Sequence, residues 1–218
     1  MISGFERIAE FFGELDAAMQ SKAKVYIIGG AALMYHKVPK PYTKDVDVIA
    51  TTAGQCAEMT RALKGMGFSE IKKRPGTHNQ MDIFEMLSKE DFRIDIFCRV
   101  VCSRFRLTKT MAGRATKILS LGKLEVFVCS KEDVFIFKSL TDRPQDMEDS
   151  VGLIRTGMDW DAVYNEIIEQ YRVFPNKGKA KYMLLYMQGR MEKLERTGIT
   201  LPVKVKFEKF LDSLIFEK

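Results

Sequence analysis

The stretch over residues 25–50 constrains the fold more than any other part of the chain. It begins with four apolar residues, turns at Gly29-Gly30, continues with small residues that open a helix, and ends in a second apolar run that contains Asp45 and Asp47. Short apolar runs bounded by glycine are typical of buried strands. The pattern therefore predicts two buried strands, joined by a glycine corner and a short helix.

Asp45 and Asp47 are spaced to lie on one face of the second strand, because side chains alternate sides along a strand. Neighbouring carboxylates repel each other, and a hard cation between them removes that repulsion. Asp95 is a third acid, within the otherwise apolar run Ile94-Asp95-Ile96-Phe97. If its strand neighbours the first pair, three carboxylates converge in a way that suits Mg²⁺ or Mn²⁺. The alternative for Asp95 is an exposed acid on an edge strand.

Gly29 and Gly30 also have a predicted binding role, because glycine lets the backbone approach a ligand closely. The helix that follows, which includes Ala31, offers unpaired amides to phosphate groups at its start. A tight turn without a ligand is the alternative. Lys44, beside the acidic pair, is predicted either to steer phosphate or to face water.

Periodicity divides the chain into a mixed α/β part and an all-α part. In the first part we predict helices over residues 5–22, 30–35 and 52–64, and strands over residues 24–28, 45–50, 81–87, 92–100, 117–119 and 125–129. In the second part we predict a helix that starts near residue 130 and further helices over residues 144–154, 159–171, 179–196 and 204–216.

Composition narrows the class of protein. The 218 residues are 46% apolar and 29% charged, as expected for a globular chain with one substantial core. No run approaches the roughly 18 apolar residues of a membrane span, and the N-terminus lacks the basic start of a signal peptide. Four cysteines and two histidines favour reduced thiols over a disulfide framework or a zinc site. We expect a cytoplasmic protein without a membrane partner.

The net charge of +6 is concentrated at the C-terminal end. Residues 171–218 contain eleven Lys or Arg against five Asp or Glu, which accounts for the whole excess. Such a tail attracts an RNA backbone or another anionic partner. The alternative is a solvated helix face, which is common in helical proteins.

Taken in order, Ile28-Gly29-Gly30, Asp45-Val46-Asp47 and Asp95 resemble the signature of the minimal nucleotidyltransferases of the DNA polymerase β-like superfamily. The resemblance implies an α+β fold, in which a small mixed nucleotidyltransferase sheet flanked by helices is followed by a C-terminal helical region. With the change to helical periodicity near residue 130, we assign residues 1–129 to the catalytic core and residues 130–218 to a helical region that completes the site and carries the basic tail.

The segment over residues 130–150, SKEDVFIFKSLTDRPQDMEDS, is similar to one found in AbiEii-type toxin nucleotidyltransferases and their uncharacterised relatives. That resemblance implies that Lys138 faces the triphosphate and that Asp146 or Asp149 completes the nucleotide site, with Arg143 between them. A charged loop between helices, followed by an ordinary helix-start aspartate, is the alternative. Together the two resemblances span residues 25–154.

These observations predict a metal-dependent enzyme that moves a nucleoside monophosphate from an NTP to a hydroxyl acceptor and releases pyrophosphate. Asp45, Asp47 and Asp95 would hold the metal, Asp95 would deprotonate the acceptor, and Lys138 would neutralise the triphosphate. The acceptor would be RNA such as tRNA, a protein or a small molecule, and the enzyme could be the toxin held by an antitoxin protein. The alternative is a degenerate module of the same fold that binds RNA or a protein partner.

Overall fold

The structure is a computed structural model, which describes residue 2 and residues 4–39, 42–71, 83–102 and 104–216. By its internal contacts the chain divides into two compact units, Met1–Ser130 and Lys131–Lys218. The predicted domains, residues 1–129 and 130–218, differ from these units by one residue at the boundary. Each unit has its own buried apolar residues.

The first unit alternates helices and strands. Its elements are α1 (Phe5–Ala18), β1 (Ala23–Ile28), α2 (Gly29–Tyr35), β2 (Val46–Ala50), α3 (Ala53–Gly65), β3 (Ser69–Glu70), β4 (Ile83–Lys89), β5 (Phe92–Cys98), β6 (Val100–Val101), β7 (Phe105–Arg106), α4 (Lys109–Arg114), β8 (Thr116–Ser120) and β9 (Leu124–Val128). The second unit is helical. Its elements are α5 (Lys131–Lys138), α6 (Pro144–Arg155), α7 (Trp160–Val173), α8 (Lys177–Glu195) and α9 (Val203–Phe216).

In the described part of the first unit, seven strands form one mixed sheet in the order β3-β4-β5-β2-β1-β9-β8. The strand β2 pairs antiparallel with β1 and parallel with β5, so these three strands lie at the centre. Helices α1 and α3 pack against each other and against strands of the sheet. This mixed sheet with flanking helices, followed by a helical region, confirms the predicted α+β fold class.

The central strands are apolar on both faces, which explains why they are buried. Val48 and Ile96 on one face, and Ile49 and Phe97 on the other, are at most 1% exposed. Burying a side chain of this size stabilises the fold by about 1.5–3 kcal/mol. Polar side chains on these strands are therefore confined to the strand ends or must find a buried partner.

Helix α1 ends four residues earlier than predicted. Its apolar stripe continues to Met19, but Met19 is extended, with φ −75° and ψ 152°. The next two amides, of Gln20 and Ser21, donate to the carboxylate of Glu58 on α3. A tertiary hydrogen bond therefore ends the helix, and periodicity within the segment could not reveal it. By contrast, α3 begins as predicted, because the Thr52 hydroxyl accepts from the Gln55 amide.

The remaining differences concern short elements. The predicted strand over residues 81–87 starts at two residues that lie outside the described ones, and β4 continues two residues further than predicted. The short elements β3, β6, β7 and α4 were not predicted, because segments of two to six residues are too short to show a periodic pattern. The hairpin of β8 and β9 is confirmed as an antiparallel pair.

In the second unit each predicted helix is present, with ends shifted by at most two residues. Trp160 packs at right angles on Phe135, with ring centroids 5.7 Å apart, as a helix-packing aromatic. No helix in the described part of the chain is long and apolar enough to cross a bilayer. The four cysteines, all of them described, form no disulfide bond.

Candidate active site

The candidate site begins with three residues that the central strands bring into register. Ile28 at the end of β1 pairs with Asp47 on β2, and Asp47 pairs with Asp95 on β5. Residues in register on neighbouring strands project to the same face of a sheet. Asp45 directly precedes β2, two residues from Asp47. The predicted pairing of the two acidic strands is therefore present.

Asp95 is buried, with only 1% of its surface exposed. Its strand, β5, lies between β4 and β2, so the alternative of an exposed acid on an edge strand is wrong. On the same face, the sheet continues with the buried pair Ile49 and Phe97. The carboxylate is thus held at the border of the apolar core, where an uncompensated charge is costly.

Arg93 compensates that charge. Its Nε donates to Asp95 Oδ1 at 2.8 Å, and its Nη2 donates to Asp95 Oδ2 at 2.5 Å. Nη1 of the same guanidinium lies 4.0 Å from Asp45 Oδ2. Burial by itself lowers the pKa of Arg93, but the hydrogen bond and charge of Asp95, with the charges of Asp45 and Asp47, outweigh it and raise that pKa. All three acids therefore act electrostatically on one guanidinium.

Gly29 lies directly against Asp47. Its φ of +61° is in the left-handed region, which favours glycine. A Cβ at this position would lie 2.0 Å from Asp47 Oδ2, far inside contact distance. Glycine at the end of β1 is thus required for two reasons, the backbone turn and the space that the carboxylate occupies. The second reason was not predicted, since the sequence suggested only an approach to a ligand.

The other predicted nucleotide-binding residues of this unit lie nearby. Gly30 and Ala31 are in the first turn of α2, and both are buried. At the other end of α2, Nε2 of His36 makes a 2.8 Å hydrogen bond with the carbonyl of Cys129, which fixes the helix against the end of β9. Lys44 is exposed at the start of β2. The roles of Gly30, Ala31 and Lys44 in binding phosphate remain predictions.

The predicted residues of the second unit form a buried ionic cluster of their own. Nζ of Lys138 lies 2.7 Å from Asp146 Oδ1 and 2.8 Å from Asp149 Oδ2. Arg143 Nε donates to Asp146 Oδ2 at 2.7 Å, and the Thr141 hydroxyl also donates to Asp146. These contacts compensate the buried lysine within its own unit. Its predicted role towards a triphosphate remains a prediction.

The chemistry of the acids in the first unit fits a hard divalent cation. Such cations prefer carboxylate oxygens, and Asp47 and Asp95 present them at one register on adjacent strands, with Asp45 two residues away. Among the described residues, however, no three acidic, histidine or cysteine side chains are grouped closely enough to enclose an ion. The guanidinium of Arg93 lies among the three acids instead.

Arg93 was not predicted as a site residue, although it directly precedes the apolar run around Asp95. The available signal was its spacing, since residues 93 and 95 share a face of β5, and a buried acid requires a partner. Asp142, which accepts from Arg190 Nη1 at 3.0 Å and from Lys193 Nζ at 2.8 Å, was not predicted either. Those two basic residues lie almost fifty positions away on α8, and no local pattern indicates the pairing.

A mixed sheet that carries paired acids beside a glycine corner, as described above, is the arrangement of a nucleotidyltransferase fold. The chain belongs to the family described as "Nucleotidyltransferase of unknown function (DUF6036)", whose profile matches residues 4–193. The match includes every residue of the candidate site and both predicted motifs. No match was found among curated proteins.

Two solved structures from Helicobacter pylori are similar to the chain. One, named only as a candidate nucleotidyltransferase, has a TM-score of 0.35 and 10% identity over 88% of this chain and 96% of its own. The other, JHP933, has a TM-score of 0.39 and 10% identity over 89% of this chain and 93% of its own.

Proposed function

We propose that the chain is a metal-dependent nucleotidyltransferase, which moves a nucleoside monophosphate from an NTP to a hydroxyl acceptor. The observation that carries the proposal is the register of Asp47 with Asp95 on two central strands, beside Gly29 at the end of β1. Family membership supports the general activity and an NTP as substrate. A sheet that served only as a scaffold would have no physical reason to place three carboxylates close together at its centre.

In this proposal Asp45, Asp47 and Asp95 would hold Mg²⁺ or Mn²⁺, which would supply positive charge to neutralise the phosphates. The acceptor oxygen attacks the α-phosphorus in line, and its proton passes to a carboxylate oxygen of Asp95. The new oxygen–phosphorus bond forms as the bond between the α-phosphorus and its bridging oxygen breaks, and pyrophosphate leaves. The glycine corner at Gly29-Gly30 gives the nucleotide room beside the acids.

The finer parts of the proposal concern the acceptor and the biological role. The basic stretch over residues 171–218 supports RNA, such as tRNA, as the acceptor, because its excess positive charge favours a phosphate backbone. A protein hydroxyl and a small molecule are the other acceptor classes. The similarity of residues 130–150 to AbiEii-type toxins supports a toxin controlled by an antitoxin protein. Growth arrest on expression, relieved by a neighbouring gene, would support that role.

The test is label transfer. The wild-type chain and an Asp45→Asn/Asp47→Asn double variant are incubated with Mg²⁺ and each α-labelled NTP, together with bulk RNA, the protein itself or a panel of small hydroxyl compounds. We expect label to reach one acceptor class with the wild type and none with the variant. Absence of transfer, together with absence of Mg²⁺-dependent nucleotide binding, would contradict the proposal and favour a degenerate binding module.

A further inference from the structure

A cavity of about 360 Å³ opens in the first unit at the end of the sheet where β1 and β9 begin. It is lined by residues from the start of β1, the first turn of α3 and the turn between β8 and β9. Ala23 begins β1 and Ile28, which pairs with Asp47, ends it. At about 3.3 Å per residue, roughly 17 Å of strand separates the two ends. The cavity is therefore distinct from the acids of the candidate active site.

Three lysines and one acid line this cavity. The lysines are Lys22, Lys24 and Lys123, and the acid is Glu125. Glu125 is already paired through both oxygens, since Oε2 lies 3.0 Å from Lys24 Nζ and Oε1 accepts from Lys117, which stands outside the lining. Lys22 and Lys123 make no ion pair with any part of the chain that the structure describes. The lining thus has an excess of positive charge, to which these two lysines contribute uncompensated ammonium groups.

Gln55 adds an uncharged donor with a defined orientation. Its Oε1 accepts from the backbone amide of Thr51 at 3.1 Å and from the Thr51 hydroxyl at 2.7 Å. Both bonds engage the oxygen of the side-chain amide, and the NH₂ group at the other side of that amide can only donate. Among the described residues, this NH₂ group has no acceptor. The cavity therefore combines two unpaired cations with an available hydrogen-bond donor.

The turn that carries Lys123 is held by hydrogen bonds of its backbone. Oδ1 of Asp16, on α1, accepts from the amides of Lys123 and Leu124, both at 2.7 Å. The amide of Ala23 donates to the carbonyl of Lys123 at 2.8 Å. These bonds tie the turn to α1 and β1, and they engage the Asp16 carboxylate with peptide groups. The lysine side chains thus extend from a fixed backbone, which lowers the entropic cost of binding a ligand between them.

The composition of the lining favours a phosphate group as the ligand. Lysine binds phosphate as a compact point charge, and an amide NH₂ group supplies a directed hydrogen bond. None of the lining residues, all of which are described, is aromatic, so the cavity offers no ring on which a nucleobase could stack. Its volume is near the lower end of the range for small-molecule sites. Recognition by charge without recognition of a base is expected from such a lining.

We propose that this cavity is a second anion site, in which Lys22, Lys123 and the NH₂ group of Gln55 bind a phosphate group. The phosphate belongs either to a small phosphorylated molecule or to the backbone of an RNA, and the chemistry of recognition is the same for both. The inference goes beyond the proposed function and does not rest on it, because a phosphate held here lies too far from Asp47 to react.

The experiment titrates the full wild-type chain with inorganic phosphate and follows ¹H–¹⁵N correlation spectra at low ionic strength, where screening is weak. Divalent cations are left out, so that the acids of the candidate active site repel the probe. The backbone signal of Gly122 and the side-chain NH₂ signals of Gln55 should shift and saturate together. The signal of Gly65, at the other end of α3, should stay in place. Absence of a saturable shift at Gly122 and Gln55 would overturn the inference.

Variants then test which side chains bind the probe. Lys22→Gln/Lys123→Gln should weaken phosphate binding about tenfold, whereas Lys22→Arg/Lys123→Arg keeps both charges and should retain it. The matched control is Lys64→Gln/Lys109→Gln, which removes the same charge from the first unit at exposed positions outside the lining. This control should bind phosphate like wild type. Equal weakening in the two glutamine variants would overturn the inference, because it would show a dependence on net charge alone.

A uridine hexanucleotide without terminal phosphates distinguishes the two sources of phosphate. If the site binds RNA backbone, the hexanucleotide should shift the same signals and displace inorganic phosphate. If it binds a small molecule, inorganic phosphate and pyrophosphate should shift them and the hexanucleotide should not. Both results support the anion site and assign its ligand.

The same titration separates this inference from the proposed function. Asp45→Asn/Asp47→Asn, which should lose label transfer, should bind inorganic phosphate at the cavity like wild type. Failure of label transfer with a saturable phosphate titration would therefore contradict the proposed function alone. Label transfer without phosphate binding at the cavity would overturn the anion site alone.

Discussion

Two buried ionic clusters, one in each unit, differ in where their counter-ions come from. In the first unit, Arg93 forms a two-bond fork with Asp95 and lies 4.0 Å from Asp45, at the centre of the sheet. Buried ionic groups are tolerated when they are paired, and an excess of one sign raises the free energy of the folded state. Arg93 therefore offsets part of the cost of burying Asp95 in the sheet.

The cluster of the helical unit is paired differently. Among its described contacts, Asp146 and Asp149 meet Lys138 and Arg143, two acids against two bases. Burial lowers the pKa of Lys138, but the charges of the two aspartates outweigh it and raise that pKa. A balanced cluster needs no ligand to explain its burial. In both clusters a buried acid is compensated by nearby cations, which come from the same strand in the first unit and from α5 and the start of α6 in the second.

The largest expected effect comes from removing an acid of the cluster in the first unit. Under the proposed function, Asp47→Asn should lower nucleotide transfer by about a thousandfold or more, because it would remove a proposed metal ligand and a charge from the reaction centre. Its free energy of unfolding should be unchanged or slightly higher, since carboxylate repulsion is relieved. Label transfer and urea unfolding measure the two effects. Asp91→Asn, at an exposed ion pair with Arg7, is the control and should change neither. Transfer by Asp47→Asn at the wild-type rate would contradict the proposed role of Asp47.

The second effect is a loss of stability in the balanced cluster. Lys138→Met keeps the volume but leaves Asp146 and Asp149 without their buried counter-ion, and should lower the free energy of unfolding by about 3–5 kcal/mol. Lys193→Met removes the same charge from α8, where the side chain is 49% exposed, and should cost far less. Equal effects of the two substitutions in urea unfolding would show that burial does not increase the contribution of the cluster to the free energy of unfolding.

The same variant has an expected pH dependence. The pKa of Lys138 is raised above its ordinary 10.5, so its contribution to stability is complete below that value and is lost as pH rises through the raised pKa. Burial raises the pKa of Asp146, but the charges of Lys138 and Arg143 outweigh it and lower that pKa below 3.8. Its contribution is complete above that value and lost as pH falls through the lowered pKa. The difference between wild type and Lys138→Met should therefore be largest from about pH 4 to about pH 10 and narrow outside that window.

A third, intermediate effect tests how the cluster in the first unit positions its acids. Gly29→Ala should destabilise wild type by about 2–4 kcal/mol, because the left-handed backbone and the contact with Asp47 both oppose a side chain. In an Asp47→Ala background only the backbone cost and a milder contact remain, about 1–2 kcal/mol. Urea unfolding of the four proteins measures the coupling. Gly13→Ala, in a helix where an added Cβ meets nothing, is the control and should be neutral or stabilising. Equal costs in both backgrounds would contradict the packing of Asp47 on Gly29.

Much of the first cluster could be predicted because its signals are local. Alternation along a strand put Asp45 and Asp47 on one face, and the apolar run around Asp95 indicated a buried acid that requires a partner. The register of Asp47 with Asp95 could not be derived in this way, because the two residues are far apart in sequence and pair only in the folded sheet. The partner Arg93 was missed for a related reason, since a long side chain can serve several neighbours.

The second cluster was predicted as residues but not as an arrangement. The resemblance of residues 130–150 to AbiEii-type proteins singled out Lys138, Asp146 and Asp149 and assigned them to a nucleotide site. Their mutual neutralisation depends on how α5 and α6 pack, which is a property of the folded unit. A sequence shows which charges are present, whereas charge balance at a site appears only when the neighbours are known.

The smallest expected effect concerns an exposed ion pair, whose contribution to stability can be compared with that of the buried clusters. Lys206 pairs with Asp161 at 2.6 Å, but the two side chains are 59% and 73% exposed. Water and salt screen such a pair, so Lys206→Ala should leave the urea midpoint unchanged within error at low and at high salt. Lys138→Met measured in the same buffers should keep its large effect at both salt concentrations, because a buried cluster is screened little. If the two variants responded alike to salt, the helical cluster would behave as an exposed surface pair, and its burial would not explain its contribution to stability.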